Sequence, residues 1–132
     1  MDLIKLSANE ALKMMKEGSL SSEEYVKAFL KQIELRENEV GAWIFLDPKL
    51  ALDQAREADK RWKDKTAGKL NGLPIGIKDI IDTKDMPTEN GSQLCKDRKP
   101  SKDAHLVKLL RDEGAVIMGK CVTTEFALSG PG

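Results

Sequence analysis

One lysine, Lys78, has a setting that could support chemistry. It follows the apolar run Leu-Pro-Ile-Gly-Ile at residues 73–77, and a long polar stretch comes after it. A lysine withdrawn from water loses the hydration that favours its charged form, so its pKa falls and neutral amine becomes available as a base. Such a base can activate a serine nucleophile. Lys78 is therefore a candidate catalytic base, and a structural ion pair with Asp79 or another carboxylate is the alternative.

A phosphate-binding loop is a second alternative, because Gly72 and Gly76 lie close to Lys78. In the phosphate loop a glycine directly precedes the lysine, and Ser or Thr follows it. Here Ile77 precedes Lys78 and Asp79 follows it. The spacing therefore disfavours phosphate binding.

The chain before Lys78 is predicted to be mainly helical. Ser7 and Glu10 have the spacing of a capping box, and so do Ser21 and Glu24. Apolar residues follow each pair at helical intervals, which predicts two amphipathic helices. The first helix is expected to stop at Gly18.

The second helix is predicted to run to about Asn38, and a strand and a third helix follow it. Residues 42–46, Ala-Trp-Ile-Phe-Leu, are aromatic and β-branched, as is typical of a strand. Asp47 then offers an N-cap with Pro48 at the first helical position, and an apolar stripe continues to Trp62.

Two later apolar runs predict a parallel sheet. Residues 73–77 and 115–119 are each typical of a strand buried on both faces. Strand, helix and strand in this order indicate a parallel α/β arrangement, in which ligands bind at the carboxyl ends of the strands. Lys78 ends one of these strands and Lys120 ends the other.

A long connection and a helix separate the two strands. Residues 82–100 contain Pro, Gly, Asn and Ser at intervals, and connections of that length tend to be functional or mobile. Ser101 or Asp103 is expected to cap the helix. Leu106 and Val107 are expected on its inner face.

Composition narrows the class of protein. The chain has 132 residues, 40% of them hydrophobic, which is enough for one modest domain with a core. Its 22 basic and 22 acidic residues cancel, so no electrostatic attraction to nucleic acid or to an anionic membrane is expected. Cys95 and Cys121 lack metal-ligand spacing, and one pair is too few for a disulfide framework. Without a signal peptide or an apolar membrane span, a cytoplasmic location is expected.

Two segments together resemble the amidase signature family of amide hydrolases. The first is GLPIGIKDIIDTKDMPTENGS at residues 72–92, and the second is DAHLVKLLRDEGAVIMGKCVTTEFA at residues 103–127. Gly72, Pro74, Lys78 and Asp79 match the family's Gly-x-Pro-x-x-x-Lys-Asp element. The family's Gly-Ala-Val-Ile-x-Gly-Lys element, with a later Glu-Phe-Ala, is matched by residues 114–120 and 125–127.

The resemblance covers essentially the whole chain and implies a fold class. That fold is α/β, with helices packed on a mixed, largely parallel sheet that is incomplete in this chain. Residues 1–132 are expected to be the N-terminal portion of a single amidase domain. Residues 1–67 would form a mainly helical segment, and residues 68–132 would start the core sheet that carries Lys78.

The resemblance also implies a mechanism. In the family the lysine of the first element is the base of a Ser-Ser-Lys triad, and that role falls on Lys78. The lysine deprotonates a bridging serine, which activates the nucleophilic serine, and water then hydrolyses the acyl-enzyme. No cofactor and no metal are implied.

The serine motif of the family is the main departure. No Gly-Gly-Ser-Ser run occurs in these residues, so the nucleophile, the bridging serine and the oxyanion donors are missing and the chain alone is expected to be inactive. Ser92 and Ser129 lack the motif around them and are not expected to be nucleophiles. By position, Ala127, Leu128 and Ser129 are expected to line the substrate pocket of the complete enzyme.

Two functional classes stay open at this point. The first is a portion of an amidase that acts on a small-molecule amide once the C-terminal part is present. The second is a non-catalytic remnant that binds a partner chain or completes a split enzyme, through an unfinished sheet edge. Self-association, or complementation by the missing C-terminal part, is the expected kind of partnership. Neither nucleic acid nor a membrane is expected to be a partner.

Overall fold

The computed structural model describes residues 2–128 and Gly130. Within them the chain forms four α-helices and three β-strands. In chain order these are α1 (Ala8–Glu17), α2 (Ser22–Val40), β1 (Trp43–Leu46), α3 (Pro48–Lys63), β2 (Pro74–Lys78), α4 (His105–Asp112) and β3 (Val116–Cys121). No helix in this described part of the chain is both long enough and apolar enough to cross a membrane.

The capping signals of α1 and α2 are confirmed. The Ser7 hydroxyl accepts a hydrogen bond from the Glu10 amide at 3.3 Å, and the Glu10 carboxylate accepts one from the Ser7 amide at 2.8 Å. The same reciprocal pair joins Ser21 and Glu24. Each pair satisfies amide groups that a helix leaves without a partner at its start. Helix α1 ends at Gly18, as predicted, because glycine adopts the left-handed conformation there, with φ at 77°.

The three strands form a mixed sheet in the order β1-β3-β2. Strands β2 and β3 are parallel, and β1 pairs with β3 in the antiparallel direction. This arrangement confirms the predicted fold class. The central position of β3 explains why its residues Val116–Lys120 are all buried.

Helices cover both faces of β3. Val116 and Met118 pack with α2 and α3 in one hydrophobic cluster, whereas Ile117 packs with Ile77 of β2 and Val107 of α4 in another. Alternate residues of a strand point to opposite faces of its sheet, so this central strand connects the two clusters.

The prediction that residues 73–77 are buried on both faces is wrong. Strand β2 pairs with β3 on one side only among the described residues. Ile77 is buried, but Gly76 and Lys78 are exposed. A continuous apolar run predicts a strand but not its place in the sheet, and β2 is an edge strand here.

The predicted start of α4 is also wrong. This helix begins after Ala104, and no side chain caps it. The Asp103 carboxylate instead accepts a hydrogen bond from the Lys84 amide at 2.9 Å and pairs with Arg111 at 3.1 Å. Tertiary contacts therefore use the side chain that the sequence assigned to capping. Val107 lies on the inner face as predicted, but Leu106 is half exposed.

Candidate active site at the ends of the parallel strands

Lys78 is the last residue of β2 and lies beside Cys121 of β3 in the parallel register. Its side chain is exposed. The expectation of a lysine withdrawn from water is therefore wrong for the described chain. The physical reason is the edge position of β2, since the described residues place no further strand beside it.

The buried lysine of this region is Lys120. It lies beside Ile77 in the register, so it points to the face of the sheet opposite to Lys78. Lys120 is fully buried. Its ammonium donates hydrogen bonds to Thr88 Oγ1 at 2.6 Å and to the Pro87 carbonyl at 3.1 Å.

Asp79 supplies the charge that balances Lys120. The two side chains form an ion pair at 3.3 Å, and both side chains are buried. Burial lowers the pKa of Lys120 from its ordinary value, and the Asp79 carboxylate opposes that shift. The result is a compact pair of opposite charges between the carboxyl ends of β2 and β3.

The connection between β2 and α4 is ordered by a second ion pair. Both terminal nitrogens of the Arg98 guanidinium donate hydrogen bonds to the Asp82 carboxylate, at 2.7 and 3.0 Å. These bonds hold the pKa of the Asp82 carboxyl below its usual value. Arg98 also accepts a hydrogen bond at its carbonyl from the Thr88 amide at 3.0 Å. The predicted long connection is therefore present, and it is held by its own polar contacts.

A cavity of about 310 Å³ opens beside Asp79, at the carboxyl ends of the strands. Ile44 and Val122 give it an apolar wall, while Ser92 and Thr123 contribute polar atoms. It lies where ligands bind in parallel α/β sheets. The described residues Lys78, Ala127 and Leu128 do not line this cavity.

Gly91 and Ser92 hold one side of the cavity in contact with the segment after β3. A Cβ atom at Gly91 would lie 2.7 Å from the Thr123 carbonyl, and φ at this glycine is +64°. The Ser92 hydroxyl donates a hydrogen bond to Glu125 Oε1 at 2.6 Å. It also accepts one from the Leu94 amide at 3.3 Å. These contacts agree with a structural role for this serine.

The three predicted pocket residues follow β3. Ala127 ends a short 3-10 helix, Glu125–Ala127, and has φ at 58°. Leu128 is 69% exposed. Ser129 lies outside the described residues. Their role in a substrate pocket stays a prediction.

Sequence reasoning placed Lys120 at the end of a strand but missed its contacts with Asp79 and Thr88. The available signal was a lysine directly after one apolar run, combined with an aspartate two positions after the neighbouring parallel run. Charged side chains in such places are seldom buried unless they are paired. The pairing itself depends on a shift in register. Ile75 and Gly76 face Ile117 and Gly119, which leaves Met118 as an extra residue in β3.

The fold places the chain in the α/β class, with helices packed on a small mixed sheet. A family model described as Amidase matches residues 24–132. The chain is 39% identical over 127 residues to a glutamyl-tRNA(Gln) amidotransferase subunit from Dehalococcoides mccartyi. The protein therefore belongs to the amidase signature family.

Solved structures agree with this assignment. The native peptide amidase from Stenotrophomonas maltophilia matches with a TM-score of 0.86 and 33% identity, over 92% of this chain and 26% of that chain. A peptide amidase in complex with the competitive inhibitor chymostatin matches with a TM-score of 0.88 and 32% identity, over 96% of this chain and 26% of that chain. The alignment with the Dehalococcoides relative covers 96% of this chain and 26% of the relative. The chain thus spans about a quarter of the length of the relatives it matches.

Proposed function

We propose that this chain is the N-terminal portion of an amide hydrolase in which Lys78 is the catalytic base of a Ser-Ser-Lys mechanism. The observation that carries the proposal is the place of Lys78, at the carboxyl end of an edge strand, with its side chain exposed. A further segment of an amidase domain can reach the amine there. Lys120, by contrast, has no open side.

The proposed reaction uses Lys78 in its neutral form. The amine takes a proton from the bridging serine, which takes one from the nucleophilic serine as that oxygen attacks the amide carbon. The proton returns to the leaving nitrogen as the carbon–nitrogen bond breaks. Water then hydrolyses the acyl-enzyme, and the serine regains its proton. Backbone amides of the serine segment would stabilise the oxyanion.

Lys78 needs shelter from water to act in this way, because hydration favours the charged amine. We propose that the segment that brings the serines also covers Lys78. The exposed apolar side chains near the strand ends support such a cover, since Ile44 is 54% exposed and Val122 is 43% exposed. One added segment would then supply the nucleophile and the shelter together.

The proposal makes residues 1–132 part of one domain, with a mainly helical part at 1–67 and the start of the sheet at 68–132. Strand β1 links the two parts, because it pairs with β3. The serine motif is absent from these 132 residues. We therefore expect the chain alone to be inactive towards amides.

The test compares three proteins on a simple aryl amide and its ester. These are the 132-residue chain, the isolated C-terminal remainder of the S. maltophilia peptide amidase, and an extended chain in which that remainder follows residue 132. We expect hydrolysis only by the extended chain. Hydrolysis by the 132-residue chain would overturn the proposal, because the nucleophile would then lie within residues 1–132.

A second candidate function is a binding unit that completes a split enzyme. The same exposed side chains and the edge strand β2 favour it, because they offer a surface that a separate remainder of the domain can cover. Mixing the 132-residue chain with the isolated remainder tests this candidate. Activity that appears on mixing would support the split enzyme, and activity only after covalent fusion would favour the continuous domain.

A further inference from the structure

The ammonium of Lys120 has three partner residues, which come from two places in the chain outside β3. Asp79 directly follows β2, and Pro87 and Thr88 belong to the long connection. The ammonium donates hydrogen bonds to Thr88 and to the Pro87 carbonyl, and it forms an ion pair with Asp79. The Thr88 hydroxyl also contacts the Ile81 carbonyl at 3.5 Å. The side chain of Lys120 thus ties the central strand to the chain that begins after Lys78.

The hydrogen bonds of Asp79 also restrict the backbone of its neighbour, Lys78. Its amide donates to the Cys121 carbonyl at 2.9 Å, and its carbonyl accepts from the Asn90 amide at 2.9 Å. Its carboxylate accepts from the Glu89 amide at 3.2 Å through Oδ2. The amide, the carbonyl and Oδ2 of Asp79 are therefore hydrogen-bonded to β3 or to the connection, and Oδ1 forms the ion pair with Lys120. Because Asp79 is covalently next to Lys78, any movement of Asp79 moves the backbone of Lys78.

The same contacts reach the segment that follows β3. The Asn90 carbonyl accepts a hydrogen bond from the Phe126 amide at 2.8 Å. Phe126 has φ at 49°, in the left-handed region that non-glycine residues rarely adopt. A tertiary hydrogen bond at that residue helps to hold the unusual conformation. Lys120 is thus connected through Asp79 and Asn90 to residues 125–127.

Lys120 is badly placed to transfer protons itself. Its side chain is fully buried, and its ammonium donates to Thr88 and to the Pro87 carbonyl. It also lies on the face of the sheet opposite to Lys78. A group without access to substrate or solvent cannot act as the base.

We propose that Lys120 is a positioning residue, which fixes Lys78 and residues 125–127 relative to each other through Asp79, Thr88 and Asn90. The part of this proposal that concerns catalysis rests on the proposed role of Lys78. The part that concerns order in the chain does not. A cation is needed at this place because an apolar side chain would leave the Asp79 carboxylate buried without a counter-charge.

The test uses Thr88→Val, which removes a hydroxyl at constant shape and keeps the Lys120–Asp79 pair. Thr83→Val is the matched control, because Thr83 is equally buried in the same connection and its hydroxyl donates to the nearby Met86 carbonyl, at 3.3 Å. Amide hydrogen exchange at Asn90 and Phe126 is measured by NMR in the 132-residue chain. We expect exchange at both amides to be about tenfold faster in Thr88→Val than in Thr83→Val. Equal exchange in the two variants would overturn the proposal.

Kinetics of the extended chain provide the second measurement. Thr88→Val should lower kcat by about tenfold to a hundredfold and leave KM nearly unchanged, because misplacement of a catalytic group slows the reaction without weakening binding. Thr83→Val should leave kcat close to the unmodified value. A normal kcat in Thr88→Val would overturn the positioning of Lys78 even if exchange were faster. Should Lys78→Ala retain activity, the proposed function fails, while the exchange experiment still decides whether Lys120 orders the two segments.

Discussion

Two lysines lie near the carboxyl ends of the neighbouring parallel strands, Lys78 as the last residue of β2 and Lys120 one residue before the end of β3. They differ in strand position and in burial. Lys78 ends the edge strand β2 and is exposed, whereas Lys120 lies in the central strand β3 and is fully buried. They also lie on opposite faces of the sheet. The same residue type after a similar apolar run therefore lies in two different environments. Strand position, rather than local sequence, separates a lysine that is open to chemistry from one that holds the structure together.

The largest expected effect on stability comes from replacing Lys120, the buried lysine. Lys120→Met should lower the free energy of unfolding by about 3–5 kcal/mol, because it leaves the Asp79 carboxylate buried without its partner. Urea unfolding of the 132-residue chain, followed by circular dichroism, measures this loss. A loss below about 1 kcal/mol would mean that the ion pair contributes little.

A double variant isolates the interaction between Asp79 and Lys120 from the effect of replacing either residue alone. In Asp79→Asn combined with Lys120→Met, no unpaired charge stays buried, so much of the stability should return. We expect a coupling energy of about 1–3 kcal/mol between the two substitutions. Strict additivity in a double-mutant cycle of unfolding free energies would contradict a direct interaction.

The titration of Lys120 should make stability depend on pH, with a smaller effect than its substitution and with a sign that follows from the direction of its pKa shift. Burial lowers the pKa of Lys120 below 10.5, although Asp79, with a lesser contribution from Asp82, opposes the shift. Between the lowered pKa and 10.5 the unfolded chain binds more protons than the folded chain. The contribution of Lys120 to the free energy of unfolding therefore rises with pH in that window.

Unfolding measured across this alkaline window checks the sign. The unmodified chain should gain more stability, or lose less, than the Asp79→Asn/Lys120→Met variant as the pH rises. Subtracting the two curves cancels titrating groups that both proteins share. Lys31→Met, which replaces an exposed lysine of α2, should behave like the unmodified chain. Identical pH slopes for the chain and the double variant would show that Lys120 has no lowered pKa.

The smallest stability effect is expected at the exposed lysine. Lys78→Met should change the free energy of unfolding by no more than about 0.5 kcal/mol, since an exposed side chain away from caps and ion pairs contributes little. The same urea experiment measures it beside Lys120→Met. A loss as large as that of Lys120→Met would remove the contrast between the two lysines.

Local signals in the sequence predicted the helices well. The capping boxes at Ser7 and Ser21 and the proline at the start of α3 depend on residues close together in the chain, and all three are confirmed. The start of α4 was missed because the Asp103 carboxylate contacts Lys84 and Arg111 instead of the helix. No pattern within the helix itself records those distant partners.

The candidate site could be predicted only in part. Periodicity placed Lys78 and Lys120 at strand ends, and the parallel pairing of their strands is confirmed. The exposure of the two lysines depends on strand order and on the extra residue at Met118, which apolar runs do not encode. The contact between Thr88 and Lys120 requires the long connection to fold back onto β3. The spacing of residues in the sequence does not predict that fold.

The most direct test of the central claim is the amide hydrolysis rate of the extended chain with Lys78→Ala, measured beside Lys31→Ala as an exposed-lysine control. We expect Lys78→Ala to lower kcat by about 10²–10⁴-fold, as removal of a general base does, while the fold is retained. Lys31→Ala should keep the unmodified rate. Full activity in a folded Lys78→Ala variant would contradict the assignment of Lys78 as the base.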